Sequence, residues 1–353
     1  MNSCISSSLL KTQLLDDVAQ AAEFLRLGKL VAFPTETVFG LGADASNPHA
    51  IERLFAAKGR PADNPLIVHV GAIEDWPLAA SELPDIARRI LELFSPGPVS
   101  VVVAKADAIC ASVTAGLDTV ALRIPAPQVT QALLRAAQLP IAAPSANLSG
   151  RPSATTWQSV LEDLDGRIDA ILCTSVEHVG LESTVIDCTG RAPIVLRPGS
   201  IGLAQLRAHF PSARLWNDDL SGQSPGAGEP AVQAAACAPL SSPGLRHPHY
   251  QPRARVQLLE AGQRWPPLSD ASSALADLSY AYAGMAPPPR GMRISRQFNS
   301  LAEYAHGFYE FLREADRANI DVIGLEAIAI ETARESGIAA ALCDRQRRAA
   351  GLN

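Results

Sequence analysis

The sequence alternates short apolar runs with helical patterns, and several of the apolar runs contain a charged or polar residue. Residues 66–70 form such a run around His69, and residues 119–125 form another around Arg123. Short apolar runs bounded by turn residues are typical of buried strands. Residues 16–27 have apolar positions at helical spacing and indicate an amphipathic helix. The alternation predicts an α/β fold in which helices flank a twisted, mixed sheet.

Length and charge limit the classes of protein to which the chain can belong. It has 353 residues, of which 47% are hydrophobic and 19% charged, so two folded domains are expected rather than a disordered chain. The formal net charge of −6 disfavours a protein-wide electrostatic grip on nucleic acid, although a local basic cleft stays compatible with it. No run reaches the roughly 18 apolar residues that span a bilayer, so no membrane contact is expected.

The six cysteines and the N-terminal residues indicate the cellular compartment in which the protein is expected. The cysteines are scattered, with neither a Cys-x-x-Cys pair nor the Cys/His spacing of a zinc site. We interpret them as small buried side chains in a reducing compartment. Residues 1–13 lack the basic segment and the long apolar stretch of a secretory signal. A cytoplasmic protein is expected.

A change in composition divides the chain. Residues 211–252 are rich in Pro, Gly, Ser and Ala and lack periodicity, which is typical of a linker. Beyond them, the pattern of residues 301–318 indicates an amphipathic helix, with strand-like runs on either side. The sequence therefore predicts a first domain over residues 1–210, a linker over 211–254 and a smaller α/β domain over 255–353.

One stretch places two cations directly before a predicted strand. It reads Lys58-Gly-Arg-Pro-Ala-Asp-Asn-Pro-Leu-Ile-Val-His69. Pro61 and Pro65 fix φ and favour extended backbone at the residues before them, Arg60 and Asn64. An ammonium and a guanidinium on a stiff loop suit a phosphate or a carboxylate. A solvated Lys/Arg turn explains the stretch equally well, so the rest of the chain must decide.

Other polar residues at predicted strands have two explanations each. Arg123 inside an apolar strand needs a partner, which is either a structural carboxylate or an anionic ligand. His69 fits a satisfied core histidine or a binding residue. Ser145 and Asn147 follow a strand end, where ligands of open α/β sheets collect, but they also fit an ordinary turn. The sequence has no P-loop and no complete Gly-x-Gly-x-x-Gly motif, so a nucleotide would need a different scaffold.

Taken together, the motifs resemble those of the Sua5/YrdC/YwlC family. In chain order they are Phe33-Pro-Thr-Glu-Thr-Val-Phe-Gly-Leu-Gly42, Lys58-Gly-Arg-Pro61, Asn64-Pro-Leu-Ile-Val-His69, Ala115-Gly-Leu-Asp-Thr-Val-Ala-Leu-Arg-Ile-Pro125, Ser145-Ala-Asn147, Glu182-Ser-Thr-Val185 and Leu196-Arg-Pro-Gly199. The resemblance covers about residues 10–210. Ser242-Pro-Gly-Leu-Arg-His-Pro-His-Tyr-Gln-Pro252 resembles the linker of the two-domain Sua5 form. The resemblance implies a YrdC-like twisted mixed sheet, a long linker and a smaller, Rossmann-like C-terminal domain.

The resemblance implies L-threonylcarbamoyladenylate synthase activity, which is a nucleotidyl transfer. Such enzymes convert L-threonine, bicarbonate or CO2, and ATP into threonylcarbamoyl-AMP and pyrophosphate. Mg2+ would come with the ATP phosphates, and no metal would be held by protein side chains. The product serves the N6-threonylcarbamoyladenosine modification of tRNA, so tRNA and downstream threonylcarbamoyl-transferase proteins are candidate partners.

The resemblance also assigns roles to individual residues. Lys58 and Arg60 would be the catalytic cations. Threonine would be held by Thr35, Thr37, His69, Arg123, the backbone of Ala143, and Ser183; the sequence does not separate the roles of Thr35 and Thr37. ATP would be surrounded by Lys58, Arg60, Asn64, Thr119, Ser145, Asn147, Ser153 and Arg197, and Tyr250 would close over it as a lid. Phe39 stands where the family more often has tyrosine.

Two other functions stay open at this point. A double-stranded RNA or tRNA-binding module without synthase activity would use a local basic groove. Residues 1–210 carry 16 Lys and Arg against 21 Asp and Glu, which disfavours that function. A carbamoyl-handling domain of the hydrogenase-maturation type would come with acylphosphatase and zinc-finger segments, and the sequence shows neither.

Overall fold

The computed structural model describes residues 11–216, 250–260, 263, 265 and 278–352. Most of the predicted linker lies outside the described residues, and of its motif Tyr250, Gln251 and Pro252 are described. No helix within the described ranges is long and apolar enough to cross a membrane.

The first domain is a mixed sheet flanked by helices, which confirms the predicted architecture. Its strands are β1 Gln13–Leu15, β2 Val31–Phe33, β3 Gly40–Asp44, β4 Ile67–His69, β5 Val99–Ala104, β6 Thr119–Arg123, β7 Ile141–Ala142, β8 Ala170–Leu172, β9 Thr184–Asp187, β10 Ile194–Arg197 and β11 Arg214–Leu215. Its helices are α1 Val18–Arg26, α2 Pro48–Lys58, α3 Asp85–Phe94, α4 Gln128–Ala137, α5 Trp157–Leu164 and α6 Leu203–His209, with a 3-10 helix over Ile73–Leu78. The strand order is β1-β8-β2-β3-β7-β4-β6-β5-β9-β10-β11, with parallel and antiparallel neighbours.

Local sequence explains the limits of the helix that leads to the cationic loop. α2 begins after Asn47, whose side chain accepts hydrogen bonds from two backbone N–H groups of the first turn. It ends at Gly59, which has a left-handed backbone (φ 61°) of the kind that favours glycine. This helix end leaves Lys58 in the last turn and starts the loop that contains Arg60.

The strand register brings chemically different side chains together. β4 and β6 are parallel neighbours, with Ile67 opposite Ala121 and His69 opposite Arg123. Alternate residues of a strand face the same side, so these four side chains share one face of the sheet. β5 lies on the other side of β6 and places Ser100 beside Arg123. Neighbouring strands thus set a histidine, an arginine and a serine in one row.

Apolar packing buries both faces of these strands. Val68, Leu122 and Val101 belong to the largest cluster of buried side chains. Ile67 and Ala121, which alternate with them along the strands, belong to a smaller cluster on the opposite face. Strands covered on both faces have near-continuous apolar sequences, which explains why these runs can be recognised in the sequence.

The second domain contains a four-stranded parallel sheet, as expected for a Rossmann-like domain. Strands β12 Arg255–Leu259, β13 Tyr280–Gly284, β14 Ile294–Gln297 and β15 Val322–Glu326 lie in the order β12-β15-β13-β14. Its helices are α7 Leu301–Arg317, α8 Ile330–Glu335 and α9 Gly337–Ala349. Buried side chains of α7 and α9 form a core with this sheet.

The two domains contact each other through buried polar groups and through backbone. Arg313 on α7 is 4% exposed, and its Nη2 lies 2.9 Å from Asp163 Oδ2 and 2.6 Å from the carbonyl oxygen of Pro152. Gly202 and Gly337 lie so close that a Cβ on Gly202 would be 2.8 Å from Gly337 N. No side chain fits between them, so the two domains are in direct backbone contact there.

Some elements differ from the sequence-based prediction. β3 lies in a segment that its glycines suggested was a loop, but a Cβ on Gly42 would be 2.7 Å from Phe33 Cε1, so close packing requires glycine within this strand. The prediction lacked β1, α5, α8, β13 and β14. β11 pairs in parallel with β10, so the first sheet continues past the predicted boundary at residue 210.

Candidate active site

A cavity lies on the sheet face that carries His69 and Arg123. Its volume, measured as the space open to the centre of a water molecule, is about 70 Å³, and it opens to solvent. Its wall is formed by Thr35, Thr37, Val38, Phe39, Gly40, Arg60, Pro65, Leu66, Ile67, His69, Arg123, Ala143, Pro144, Ser145, Glu182, Arg197 and Tyr250. Three guanidinium groups and an imidazole in one concave space suit an anionic ligand.

Arg123 is held in the cavity wall by the loop between β2 and β3. Its Nη2 lies 2.6 Å from Glu36 Oε1 and 3.0 Å from Thr37 Oγ1. The ion pair explains how a guanidinium is accommodated in a core strand. The Nε of Arg123 is buried and has no hydrogen-bond partner among the described residues. A donor is therefore available on a side chain that lines the cavity.

His69 is a neutral neighbour of this guanidinium. It is 2% exposed, and its ring is nearly perpendicular to that of Phe33 (80°), with 6.2 Å between the ring centres. Burial, and then the charge of Arg123, lower the pKa of His69 to about 3. Its Nδ1 is buried without a hydrogen-bond partner within the described part of the chain. A neutral imidazole can bind a hydroxyl or an amine without adding charge.

Arg60 and Arg197 add two more cations to the wall. Arg60 donates from Nε to the Asn64 carbonyl (3.2 Å) and from Nη2 to the Pro65 carbonyl (2.9 Å). Arg197 donates from Nε and Nη2 to the Ser183 carbonyl at 3.2 and 3.0 Å. Burial is the main cause that lowers the pKa of Arg60 to about 10, and the Arg197 charge lowers it further. Like charges fixed by backbone acceptors form a preorganised site for an anion.

Beside these cations, the wall includes Tyr250 and Glu182, which contact the second domain. Tyr250 is 6% exposed, and its ring centre lies 5.3 Å from that of Tyr309 on α7. Glu182 accepts hydrogen bonds from Ser153 Oγ (2.7 Å) and Tyr309 Oη (2.9 Å), and it pairs with Arg345 Nε at 3.0 Å. The second domain therefore supports one side of the cavity.

Most of the site residues expected from the sequence come together in this wall. Those that line the cavity are Thr35, Thr37, Arg60, His69, Arg123, Ala143, Ser145, Arg197 and Tyr250. Those that do not line it are Lys58, Asn64, Thr119, Asn147, Ser153 and Ser183.

Lys58 is placed differently from Arg60. Its side chain is buried, and its Nζ donates to the carbonyl oxygens of Ser145 and Asn147, each at 2.5 Å. Burial, and then the charge of Arg60, lower the pKa of Lys58. In this structure Lys58 ties the end of α2 to the loop that carries Ser145.

The other residues outside the wall lie behind or beside it. Ser183 Oγ is 2.9 Å from Ser100 Oγ, next to Arg123 in the sheet. The amide of Asn147 donates to two carbonyls of its own loop, which fixes the turn after β7. Thr119 begins β6, so it lies one strand length, about 13 Å, from Arg123.

Sequence reasoning missed the two carboxylates, Glu36 and Glu182. Both stand inside motifs that the sequence analysis singled out, and each is next to a residue that received a role. The available signal was electrostatic: an arginine in a core strand needs a carboxylate nearby. The sequence analysis left a structural carboxylate open as one of two partners without identifying it, and Glu36 provides it within the chain.

Two family models match the chain and together cover nearly all of it. Residues 23–199 match the model Sua5_yciO_yrdC, described as "Telomere recombination". Residues 201–351 match the model Sua5_C, described as "Threonylcarbamoyl-AMP synthase, C-terminal domain". The order of the two matches is that of the two domains.

Relatives with assigned names agree with the family models. The chain is 37% identical to the threonylcarbamoyl-AMP synthase of Pyrococcus abyssi, over 94% of this chain and 93% of the relative. It is 36% identical to that of Bacillus subtilis, over 95% of this chain and 93% of the relative. The crystal structure of Pyrococcus abyssi Sua5 complexed with L-threonine matches with a TM-score of 0.80 at 34% identity, over 96% of this chain and 97% of that one. The chain therefore belongs to the Sua5/YrdC family of threonylcarbamoyl-AMP synthases, in its two-domain Sua5 form.

Proposed function

We propose that this protein joins L-threonine, bicarbonate or CO2, and ATP into threonylcarbamoyl-AMP and releases pyrophosphate. The observation that carries the proposal is the in-register pair of His69 and Arg123 in a cavity that also contains Arg60 and Arg197. An amino-acid carboxylate and a triphosphate each need cationic groups, and this cavity contains enough of them for both. The related Pyrococcus abyssi Sua5 in complex with L-threonine supports the same amino-acid substrate here.

Threonine would bind where Arg123 and His69 meet. The Arg123 Nε, which is buried without a partner among the described residues, would donate to the threonine carboxylate. The Nδ1 of His69 is likewise buried without a partner among the described residues, and it would bind the hydroxyl or the amine of threonine. Thr35 and Thr37, whose Oγ1 atoms are 2.8 Å apart, would supply further hydroxyl contacts, and Ala143 would contribute backbone.

ATP would place its phosphates against Arg60 and Arg197. Both guanidinium groups are fixed by backbone carbonyls, so little reorganisation is needed when charge develops in the transition state. Lys58 would act from behind this surface by holding the loop that carries Ser145. Tyr250 would cover the nucleotide with its ring.

The reaction needs positioning and charge stabilisation more than a protein nucleophile. The threonine amine adds to CO2 and loses a proton, which gives a carbamate. A carbamate oxygen then attacks the α-phosphorus of ATP in line, a new oxygen–phosphorus bond forms, and the bond to the β-phosphate oxygen breaks as pyrophosphate leaves. The arginines of the wall stabilise the charge on the phosphoryl oxygens.

Carbamates and mixed anhydrides are short-lived in water, so the site must limit solvent access. Apolar side chains of Val38, Phe39 and Leu66 form part of the wall, and Tyr250 is almost fully buried over it. These groups would keep water from the labile product.

Mg2+ would enter with ATP. Within the described ranges, no group of three or more His, Cys, Asp or Glu side chains could hold a metal ion, and the charged groups of the wall are mostly guanidinium. This donor set fits a metal that is held by phosphate oxygens. When bound there, Mg2+ would neutralise phosphate charge and favour the departure of pyrophosphate.

The test is pyrophosphate release from ATP by the purified full chain, with threonine and bicarbonate omitted in turn. Release that requires both, with AMP appearing as the labile product breaks down, is the expected result. Release without threonine would identify a different acceptor or plain ATP hydrolysis. Absence of release under all conditions, together with salt-sensitive retention on immobilised tRNA, would favour the RNA-binding function instead.

Use of the product in tRNA modification, with downstream transferase proteins as partners, follows from the same proposal. Addition of tRNA and the transferase proteins to the assay is expected to convert the released adenylate into N6-threonylcarbamoyladenosine in tRNA. The cytoplasmic location stays a prediction.

A further inference from the structure

One fully buried arginine of the second domain lies against the wall of the cavity. Arg345, on α9, is 0% exposed. Its Nε is 3.0 Å from Glu182 Oε2, and its Nη1 donates to the Pro198 carbonyl at 3.0 Å and to Asp344 at 2.8 Å. Glu182 and Pro198 belong to the first domain. A single side chain of the second domain therefore connects two segments of the first.

The two connected segments carry residues that the proposed reaction uses. Ser183 follows Glu182 in the chain, and Arg197 precedes Pro198. The Nη2 of Arg197 donates to the carbonyl of Ser183 at 3.0 Å and lies 3.2 Å from its Oγ. Because the segments are also bonded to each other, the position of Glu182 bears directly on the position of the Arg197 guanidinium.

The charge of Glu182 would oppose the proposed substrates if it were not neutralised. It is a carboxylate in the wall of a cavity that takes up a triphosphate and an amino-acid carboxylate, and like charges in a desolvated site repel strongly. Burial alone would raise the pKa of Glu182, but the charges of Arg345, and then of Arg197, outweigh burial and hold it below its ordinary value. Glu182 is therefore ionised at pH 7.

The other groups that the structure describes around Glu182, apart from Arg197, cannot supply a counter-charge. Ser153 and Tyr309 donate hydroxyl hydrogen bonds, which orient the carboxylate but leave its charge in place. Tyr250 packs beside them, with its ring centre 5.8 Å from the guanidinium carbon of Arg345. Among the described residues, the cations close to Glu182 are Arg345 and Arg197, and Arg197 lines the substrate cavity.

From this arrangement we infer that Arg345 is a positioning residue for the synthase reaction. It neutralises Glu182 and fixes the two segments, so that the charge of Arg197 serves the phosphates of ATP rather than the carboxylate of the protein. This inference rests on the proposed function. It gives the second domain a defined part in the reaction without placing any of its side chains against the reacting atoms.

The first test is the KM for ATP in the pyrophosphate-release assay with full-length variants. Arg345→Gln leaves Glu182 unneutralised, so the KM for ATP is expected to rise by about 10-fold or more. The double variant Glu182→Gln with Arg345→Gln removes both charges, and its KM is expected to return to within about threefold of wild type, as a charge-pairing role requires.

Arg317→Gln is the matched control. Arg317 also lies on the second domain and forms an ion pair across the interface, with its Nη1 3.2 Å from Glu162 Oε1, but both side chains are 43% exposed. Neither residue lines the cavity. The KM of Arg317→Gln for ATP is expected to equal that of wild type, because the loss of an exposed ion pair away from the site changes neither the charge nor the geometry of the cavity.

A pH profile separates charge neutralisation from packing. Without Arg345 the pKa of Glu182 rises, so the carboxylate takes up a proton as the pH is lowered and the repulsion disappears. Within the described part of the chain, the other groups that face Glu182 are Ser153, Tyr309, Tyr250 and Arg197. The ratio of the KM values of Arg345→Gln and wild type is expected to shrink between pH 8 and pH 6, whereas a pure packing defect would keep it constant.

Several outcomes would overturn the inference while leaving the proposed function intact. An Arg345→Gln variant with the KM of wild type would do so, as would a double variant as impaired as the single one. If Arg345→Gln does not fold, Arg345→Lys is expected to stay within about threefold of the wild-type KM, because neutralisation of Glu182 needs the cation and not the guanidinium fork; a rise of about 10-fold would contradict the inference. Wild-type protein without threonine-dependent pyrophosphate release would instead overturn the proposed function.

Discussion

Glu36 and Arg123 form a buried ion pair with 2.6 Å between Oε1 and Nη2, so the guanidinium expected to hold the threonine carboxylate already contacts a carboxylate of its own chain. Glu36 also accepts a hydrogen bond from Ala126 N at 3.0 Å, which fixes its orientation. The two explanations of a charged residue in a core strand therefore do not compete. One donor of Arg123, Nη2, forms the ion pair with Glu36, and another, Nε, has no hydrogen-bond partner among the described residues.

Substitution of Arg123 should lower both the free energy of unfolding and the affinity for threonine, and a second substitution at Glu36 should restore only the stability. Arg123→Gln leaves Glu36 buried without its cation, so the free energy of unfolding is expected to fall by about 3 kcal/mol and the KM for threonine to rise at least about 10-fold. Adding Glu36→Gln is expected to restore most of the stability but not the threonine affinity. Urea denaturation and steady-state kinetics measure the two effects. A double variant that binds threonine like wild type would show that Arg123 is structural only.

Burial of neutral His69 should make the protein less stable in mild acid. Its pKa is about 3 in the folded chain and about 6.5 in an unfolded one, so the unfolded state takes up a proton first as the pH falls. His69 is thus expected to lower the free energy of unfolding by about 2 kcal/mol between pH 8 and pH 5. The measurement is urea denaturation at both pH values. His69→Gln, which cannot titrate, should lose correspondingly less stability than wild type, and equal losses would contradict the pKa.

Because their surroundings differ, Lys58 and Arg60 should contribute differently to the free energy of unfolding. Lys58→Ala removes the donor for one buried and one partly buried carbonyl, so the free energy of unfolding is expected to fall by about 2–4 kcal/mol, together with activity. Arg60→Ala is expected to lose activity with a smaller loss of stability, because its side chain faces the cavity and its hydrogen bonds to two carbonyls are only partly buried. Thermal denaturation beside the pyrophosphate assay compares them. An equally stable Lys58→Ala protein would show that its bonds to the carbonyls contribute little.

Tyr250 should affect ATP more than threonine. Tyr250→Ala removes a buried ring from the cavity wall, so the KM for ATP is expected to rise about 10-fold while the KM for threonine changes less than about twofold. Tyr250→Phe keeps the ring and its contact with Tyr309, and serves as the matched control. A rise in both KM values of Tyr250→Ala would indicate general damage to the site in place of a nucleotide lid.

Much of the first domain could be predicted because its strands are buried on both faces. The runs around His69 and Arg123 are short, apolar and bounded by turn residues, and the structure has strands at both. β1 and β11 could not be recognised in the same way, because they lie at the two edges of the sheet, are not buried on both faces and have no continuous apolar run. β3 contains two glycines, whose packing role depends on the ring of Phe33 on the neighbouring strand β2.

The sequence predicted which residues are candidates for the site but not how they are arranged in space. That His69 lies opposite Arg123 depends on the register of two strands some 50 residues apart, which a single sequence does not specify. The placement of Lys58 behind the wall, and not in it, depends on which carbonyls its chain reaches. Arg345 received no role, because nothing in its own helix indicates that the carboxylate it pairs with is in another domain.

The contact between Gly202 and Gly337 limits how domains could be exchanged among relatives. A Cβ on Gly337 would lie 2.5 Å from Gly202 N, and one on Gly202 would be equally unable to fit. A second domain taken from another two-domain relative could therefore dock in the same pose only if both glycines were present in the chimaera. Docking of the two domains also sets the distance from Arg345 to Glu182. The two domains of such a chimaera would therefore need matching surfaces and could not be combined independently of each other.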